Sequence, residues 1–116
     1  MHSTADGDAF ALDETAPGQL LRLRGRLDVT AAADARLALS DAVDAGDGDL
    51  VLDLAQLEAV DATGLGVLVG AHRHAGRSGR TLVLHDVPPG VGRLLRRTRL
   101  DRVLRQSASV VSPACA

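Results

Sequence analysis

Between residues 21 and 27 the chain sets leucine against arginine: Leu21, Leu23 and Leu27 alternate with Arg22, Arg24 and Arg26. A period of two sends successive side chains to opposite faces of an extended backbone. The stretch therefore specifies a strand with one buried apolar face and one face in water. Just upstream, Phe10 and Leu12 alternate with Ala11 and Asp13, which fits a short strand. Thr15-Ala16-Pro17-Gly18 between them reads as a turn. The two strands form an antiparallel hairpin at the edge of a sheet.

The pattern then changes period. Thr30 to Ala45 reads as a helix, with Thr30 as N-cap and Ala32, Ala35, Leu39, Ala42 and Val43 at helical spacing. Gly46 is expected to stop it in a left-handed cap. Leu50-Val51-Leu52 with Leu54 is a buried strand, and Gln56 to Ala62 a loop. A second helix starts at Thr63, with the stripe Leu65, Leu68, Val69, His72 and Ala75, and ends at Gly76 and Gly79. Thr81-Leu82-Val83-Leu84 is a further core strand. Pro88-Pro89 suits the first turn of a helix whose apolar face is Val91, Leu94 and Leu95. Val103-Leu104 fits a short edge strand. Strands alternating with helices imply an α/β fold with a mixed, mostly parallel sheet of four or five strands covered by helices.

The 116 residues suit one domain, expected over 9–107, with a disordered start at 1–8 and a flexible tail at 108–116. Phe10 is the only aromatic residue, so the core is aliphatic. No apolar run is long enough to span a membrane. The N-terminus has neither the basic region nor the apolar stretch of a signal peptide, and a cytoplasmic location follows as the expectation. Cys115 can close no internal disulfide and reads as inert. Charge is uneven: residues 1–61 hold 13 acids and 4 Arg, net −9, and residues 62–116 hold 2 acids and 9 Arg, net +7. The basic run Arg93, Arg96, Arg97, Arg99, Arg102 and Arg105 reads as a solvated helix face. Its alternative is a patch for nucleic acid or for an acidic protein; the stacking aromatics of a nucleic-acid binder are lacking, and a protein contact stays open.

The segment that carries chemistry is Val60-Asp61-Ala62-Thr63-Gly64-Leu65-Gly66-Val67-Leu68, which joins a strand to a helix start. A hydroxyl there lies beside unpaired backbone N–H groups and the positive end of the helix dipole. A phosphoryl group on Thr63 would stand where anions are stabilised. Gly64 and Gly66 are expected to leave the surface bare for a partner. Position alone also makes Thr63 a plain N-cap, Asp61 a loop acid and Asp28 a turn residue.

Asp-Ala-Thr-Gly-Leu-Gly at 61–66 resembles the Asp-Ser-Ser/Thr-Gly-Leu-Gly signature of STAS domains in anti-sigma-factor antagonists. Gly25-Arg26-Leu27-Asp28 with Thr30, and Leu50-Val51-Leu52-Asp53-Leu54, resemble two further segments of that family. The likeness runs from about residue 8 to 107 in register. It implies a regulatory binding protein, not an enzyme, with no cofactor or metal. Such a protein, unphosphorylated, binds an anti-sigma factor that is a Ser/Thr kinase of the histidine-kinase-like ATPase fold, and so frees a sigma factor. Phosphorylation at the position of Thr63 ends the binding, and a Ser/Thr phosphatase resets the switch. The resemblance makes Thr63 the phosphoacceptor and Asp28, Asp61, Ala62, Gly64, Leu65 and Gly66 its docking surroundings, with no direct nucleic-acid or membrane contact.

This sequence departs from the family pattern in four places. Thr63 stands for the commoner serine, adding a methyl that restricts χ1. Ala62 removes a second hydroxyl. The family's final helix is largely absent after Ser107. Arg99 stands where a helix-ending glycine is usual, which costs about 1 kcal/mol if that position needs positive φ. A STAS scaffold or a nucleotide- or lipid-binding subunit, working without phosphorylation, is the alternative. A dinucleotide fingerprint, Gly64-x-Gly66-x-x-x-Gly70 with Asp86 after the next strand, is weaker, since nine residues separate Leu54 from Gly64. His72 and His74 are two apart on a helix and cannot share a metal. His72 reads as a boundary residue, and His85 has no evident partner.

Overall fold

The computed structural model describes residues 10–107. The expectations for 1–8, for 108–116 and for Cys115 lie outside the described residues. The elements are β1 (Ala11–Ala16), β2 (Leu20–Leu27), α1 (Ala32–Ala45), β3 (Asp49–Val60), α2 (Ala62–Arg77), β4 (Thr81–His85), α3 (Pro89–Arg97) and β5 (Arg105–Ser107), with a 3₁₀ turn at Leu100–Arg102. The five strands lie in sequence order, β1-β2-β3-β4-β5; β1 is antiparallel to β2 and every later pair is parallel.

Each crossover steps one strand in the same direction. With the usual right-handed connection, that order stacks the crossover helices on one face and leaves the other open. Burial follows this arrangement. Leu21, Leu52 and Leu84 stand in register across β2, β3 and β4, all fully buried, in one core with Ala35, Leu39, Leu68 and Leu95. On the opposite face a polar row crosses the sheet: Asp13, Arg22, Asp53, His85 and Ser107 are successive register partners. Arg22 lies 3.4 Å from Asp53, Arg24 lies 3.0 Å from Asp13, and His85 Nδ1 lies 3.0 Å from Ser107 Oγ. His85 thus has partners that its sequence setting did not reveal, Asp86 at 3.6 Å among them.

Several boundaries differ from those expected. Helix α1 begins at Ala32 with Ala31 as N-cap and no side-chain cap, because the Thr30 hydroxyl donates to Asp28 instead. Gly46 ends α1 in an extended conformation, φ −139°, not a left-handed one. Glycine is needed there because a Cβ would overlap the Gly18 carbonyl. Strand β3 continues through the segment read as a loop. Asp53 accepts a hydrogen bond from Ala55 N–H, 3.0 Å, where the register with β2 shifts, and buried positions jump from Leu54 to Leu57. That bulge hides the alternation. Helix α2 ends at Arg77, past Gly76, and Gly79 takes φ +75° just beyond. Val103-Leu104 is not a strand: Val103 is exposed, Leu104 is buried in the core after the 3₁₀ turn, and the edge strand follows at Arg105. Arg99 does adopt φ +64°.

The end of the sheet remote from the 61–66 segment is built around Arg80, a buried cation 5% exposed. Its guanidinium donates to the carbonyls of Ala42 (3.0 Å), Val43 (2.9 Å), Gly48 (2.9 Å), Gly18 (2.5 Å) and Asp47 (3.2 Å). These belong to the last turn of α1, the α1–β3 loop and the β1–β2 turn. Only arginine has five donors in a planar fork. The last-turn carbonyls of a helix are both unsatisfied and at the negative end of its dipole.

Arg80→Met leaves those carbonyls buried without donors, and unfolding free energy should fall by about 3 kcal/mol in urea titration. Arg99→Gly relieves the left-handed backbone and should raise stability by about 0.5–1 kcal/mol in the same measurement.

Candidate functional site

The C-terminal edge of the parallel strands carries an aspartate after each of three strands: Asp28 after β2, Asp61 after β3 and Asp86 after β4. Leu27 and Val60 are register partners, so Asp28 and Asp61 leave the sheet side by side. Asp61 N–H donates to the Leu27 carbonyl at 3.3 Å and ties the two strand ends together.

Asp28 closes a turn on itself. Its carboxylate accepts from the Thr30 hydroxyl at 2.5 Å and from Thr30 N–H at 3.1 Å. The hydroxyl bond, above all, holds its pKa below the ordinary 3.8, aided by the backbone bonds from Thr30 and Ala31 and by the charge of Arg26, and opposed by desolvation. Asp28 therefore stays ionised at neutral pH.

Asp61 is the N-cap of α2. Its backbone is extended, φ −100° and ψ −174°, and its carboxylate accepts from Gly64 N–H at 2.8 Å. The helix begins at Ala62, so Thr63 is the second helical residue and not the cap. That frees its hydroxyl. Thr63 is exposed, and its side chain makes no hydrogen bond among the described residues. The first-turn N–H groups of Ala62 and Thr63 have no intrahelical acceptor.

The two motif glycines have different reasons. A Cβ on Gly64 would overlap the Leu27 carbonyl and come within 3.0 Å of the Leu27 side chain. Gly64 is buried, and its part in the site is to let α2 press onto the end of β2. Gly66 is exposed, with no atom within 4 Å of a Cβ position. Leu65 is 5% exposed and packs in the core. Ala62, Thr63 and Gly66 make the accessible tip; Gly64 and Leu65 fix the backbone beneath it.

The dinucleotide reading fails on the sheet and on Gly64, not on the connection. Val60 and Ala62 are separated by Asp61 alone, so the long connection that counted against this reading in the sequence is not there. The sheet order never reverses, so there is no switch-point crevice, and Gly64 faces a carbonyl instead of open space. No group of three or more His, Cys, Asp or Glu among the described residues could hold a metal. His72 is half-buried, with Nδ1 lacking a partner, and His74 pairs with Asp44 at 2.9 Å. No helix among the described residues is long and apolar enough to cross a membrane. The residue that sequence reasoning missed is Arg80: one arginine among 13, flanked by Gly79 and Thr81, with no local pattern to mark it.

Gly64→Ala should lower stability by about 2–4 kcal/mol, although alanine is the better helix former, because the overlap is with backbone. Asp61→Ala should lower it by about 1 kcal/mol through the lost cap, with Asp61→Asn close to wild type. Equilibrium denaturation of the three variants checks both.

A family model described as Mlab, STAS domain matches residues 10–106. The chain is 30% identical over 86 residues to the anti-sigma F factor antagonist of Paenibacillus polymyxa, covering 73% of this chain and 74% of that protein. Its fold matches the anti-sigma factor antagonist SpoIIAA in the unphosphorylated form, with TM-score 0.69, 21% identity and 88% and 89% of the two chains covered. It also matches the phosphorylated form of the Bacillus cell fate determinant SpoIIAA, with TM-score 0.66, 22% identity and 88% and 92% covered. At such identities the structures speak for the fold alone, but the sequence match extends from the first hairpin to the last strand: this chain belongs to the STAS domain family.

Proposed function

We propose that this chain is an anti-sigma factor antagonist, switched by phosphorylation of Thr63. The observation that carries the proposal is the Thr63 hydroxyl: exposed, without a hydrogen bond among the described residues, one residue inside α2, and held there by the Asp61 cap and the Gly64 contact. The 30% identity to a protein named as an anti-sigma F factor antagonist supports the pathway.

In this reading the unphosphorylated tip, with Asp28 and Asp61 beside it, docks on an anti-sigma factor that is a Ser/Thr kinase, and a sigma factor is freed. The bare Gly66 and the small Ala62 let the kinase surface come close to the hydroxyl. Transfer of a phosphoryl group adds a charge of about −1.5 to −2 at Thr63. The first-turn N–H groups and the helix dipole favour that charge, so α2 keeps its shape. A partner surface packed against Asp28, Asp61 and the tip then faces three anionic groups and loses its fit. A Ser/Thr phosphatase restores the hydroxyl. Binding, not catalysis, is the activity of this chain.

The test is incubation with an anti-sigma kinase of the same genome and ATP, followed by intact mass, phosphopeptide mapping and binding measurement, with Thr63→Ala in parallel. One phosphate on Thr63, absent in the variant, and weaker kinase binding afterwards are expected. A folded protein that takes no phosphate from any such kinase would overturn the switch and favour a STAS scaffold or ligand-binding subunit.

A further inference from the structure

Helices α1 and α2 run side by side, their C-terminal turns joined by Asp44 and His74 at 2.9 Å. The crease between them is a groove of 220 Å³. Leu39, Val67 and Ala71 form its apolar floor. Gly70 leaves one wall bare, with no atom within 4 Å of a Cβ position. Arg36 from α1 and Arg77 from α2 line it as well. Both arginines are exposed, and neither has an ion pair or hydrogen bond among the described residues. No carboxylate lines the groove.

The groove shares a face with the phosphoacceptor. Thr63, Gly66, Gly70, His74 and Arg77 follow one another at spacings of three and four, which is one stripe of a helix. A partner that covers Thr63 and extends along α2 meets Gly66, then Gly70, then the groove.

Size and charge select the occupant. Small-molecule sites typically span about 300–1,000 Å³, and this groove is smaller and open. It has room for one or two aliphatic side chains. Its two unpaired guanidiniums are matched by carboxylates, which accept from arginine in bidentate pairs. Single-stranded nucleic acid would want stacking aromatics, and Phe10 is the only aromatic residue in the chain.

We infer that the α1–α2 groove receives an acidic amphipathic helix of the anti-sigma partner. This helix passes over Gly66 and Gly70, presses an aliphatic side chain onto Leu39, Val67 and Ala71, and sets carboxylates on Arg36 and Arg77. The inference rests on the anti-sigma reading and extends its docking surface along α2, away from Thr63.

The test is calorimetric titration of the kinase that phosphorylates Thr63 against wild type, Gly70→Leu, and the double variant Arg36→Glu/Arg77→Glu. A Cβ at Gly70 meets open space, and the arginine variant changes exposed side chains only, so thermal melts should stay near wild type. Each variant should bind about tenfold more weakly or worse, and the double variant should lose salt dependence. If Gly70→Leu fails to fold, the arginine pair decides. Wild-type affinity in both variants would overturn the groove and leave the anti-sigma reading standing. Weakening by Gly70→Leu alone would overturn the acidic character assigned to the partner. A wild-type protein that binds no such kinase would overturn both.

Discussion

The guanidinium of Arg80 holds together parts of the chain that no strand or helix ladder would join. It satisfies the last carbonyls of α1, the loop into β3 and the turn of the first hairpin with one side chain. Its buried charge has no carboxylate partner among the described residues; the oriented carbonyl dipoles compensate it. Gly18 and Gly46 pack as closely as they do because the carbonyls must converge on one fork: a Cβ on Gly46 would overlap the Gly18 carbonyl and stand 3.2 Å from an Arg80 nitrogen. With α1, β2 and β3 fixed at that pole, their opposite ends have little freedom in how they meet.

The opposite pole is where that constraint becomes useful. Leu27 and Val60 end in register, Asp61 N–H bonds the Leu27 carbonyl, and Gly64 rests on the same carbonyl. Two contacts at one carbonyl, beside a register pairing of the strand ends, set the start of α2 against β2. Thr63 is then presented outward by geometry instead of by any contact of its own. Bulk at Gly64 would tilt the helix and move the hydroxyl; bulk at Gly66 would not, since nothing stands there.

Much of this was legible in the sequence, and the failures have particular causes. The Leu/Arg alternation of β2 and the aliphatic runs of β3 and β4 gave the sheet, because burial on one or both faces writes itself into a period of two or a continuous run. The order of elements gave the parallel topology. The second half of β3 was hidden because the bulge at Asp53–Ala55 breaks the period. Thr30 and Thr63 were each set one or two positions off the true caps for different reasons: Asp28 captured the Thr30 hydroxyl and left α1 without a side-chain cap, while Asp61 took the cap of α2 by accepting from Gly64 N–H. Local rules rank threonine and aspartate alike as caps, and only the strand ends decide which is in place. Arg80 was illegible because its acceptors lie 31 to 62 residues away in sequence.

These local facts bear on how a phosphate could act. If Thr63 were the cap, its hydroxyl would hold the first turn, and modification would disturb the helix itself. Because Asp61 holds the cap, a phosphoryl group on Thr63, as proposed, would take no bond from the first turn. The change would then lie in surface charge: an edge already lined by Asp28, Asp61 and Asp86 becomes more anionic, and the cost falls on whatever is packed against it. The proposed switch would need a rigid platform more than a mobile one, and the contacts at Arg80 and Gly64 hold the two ends of the domain in place.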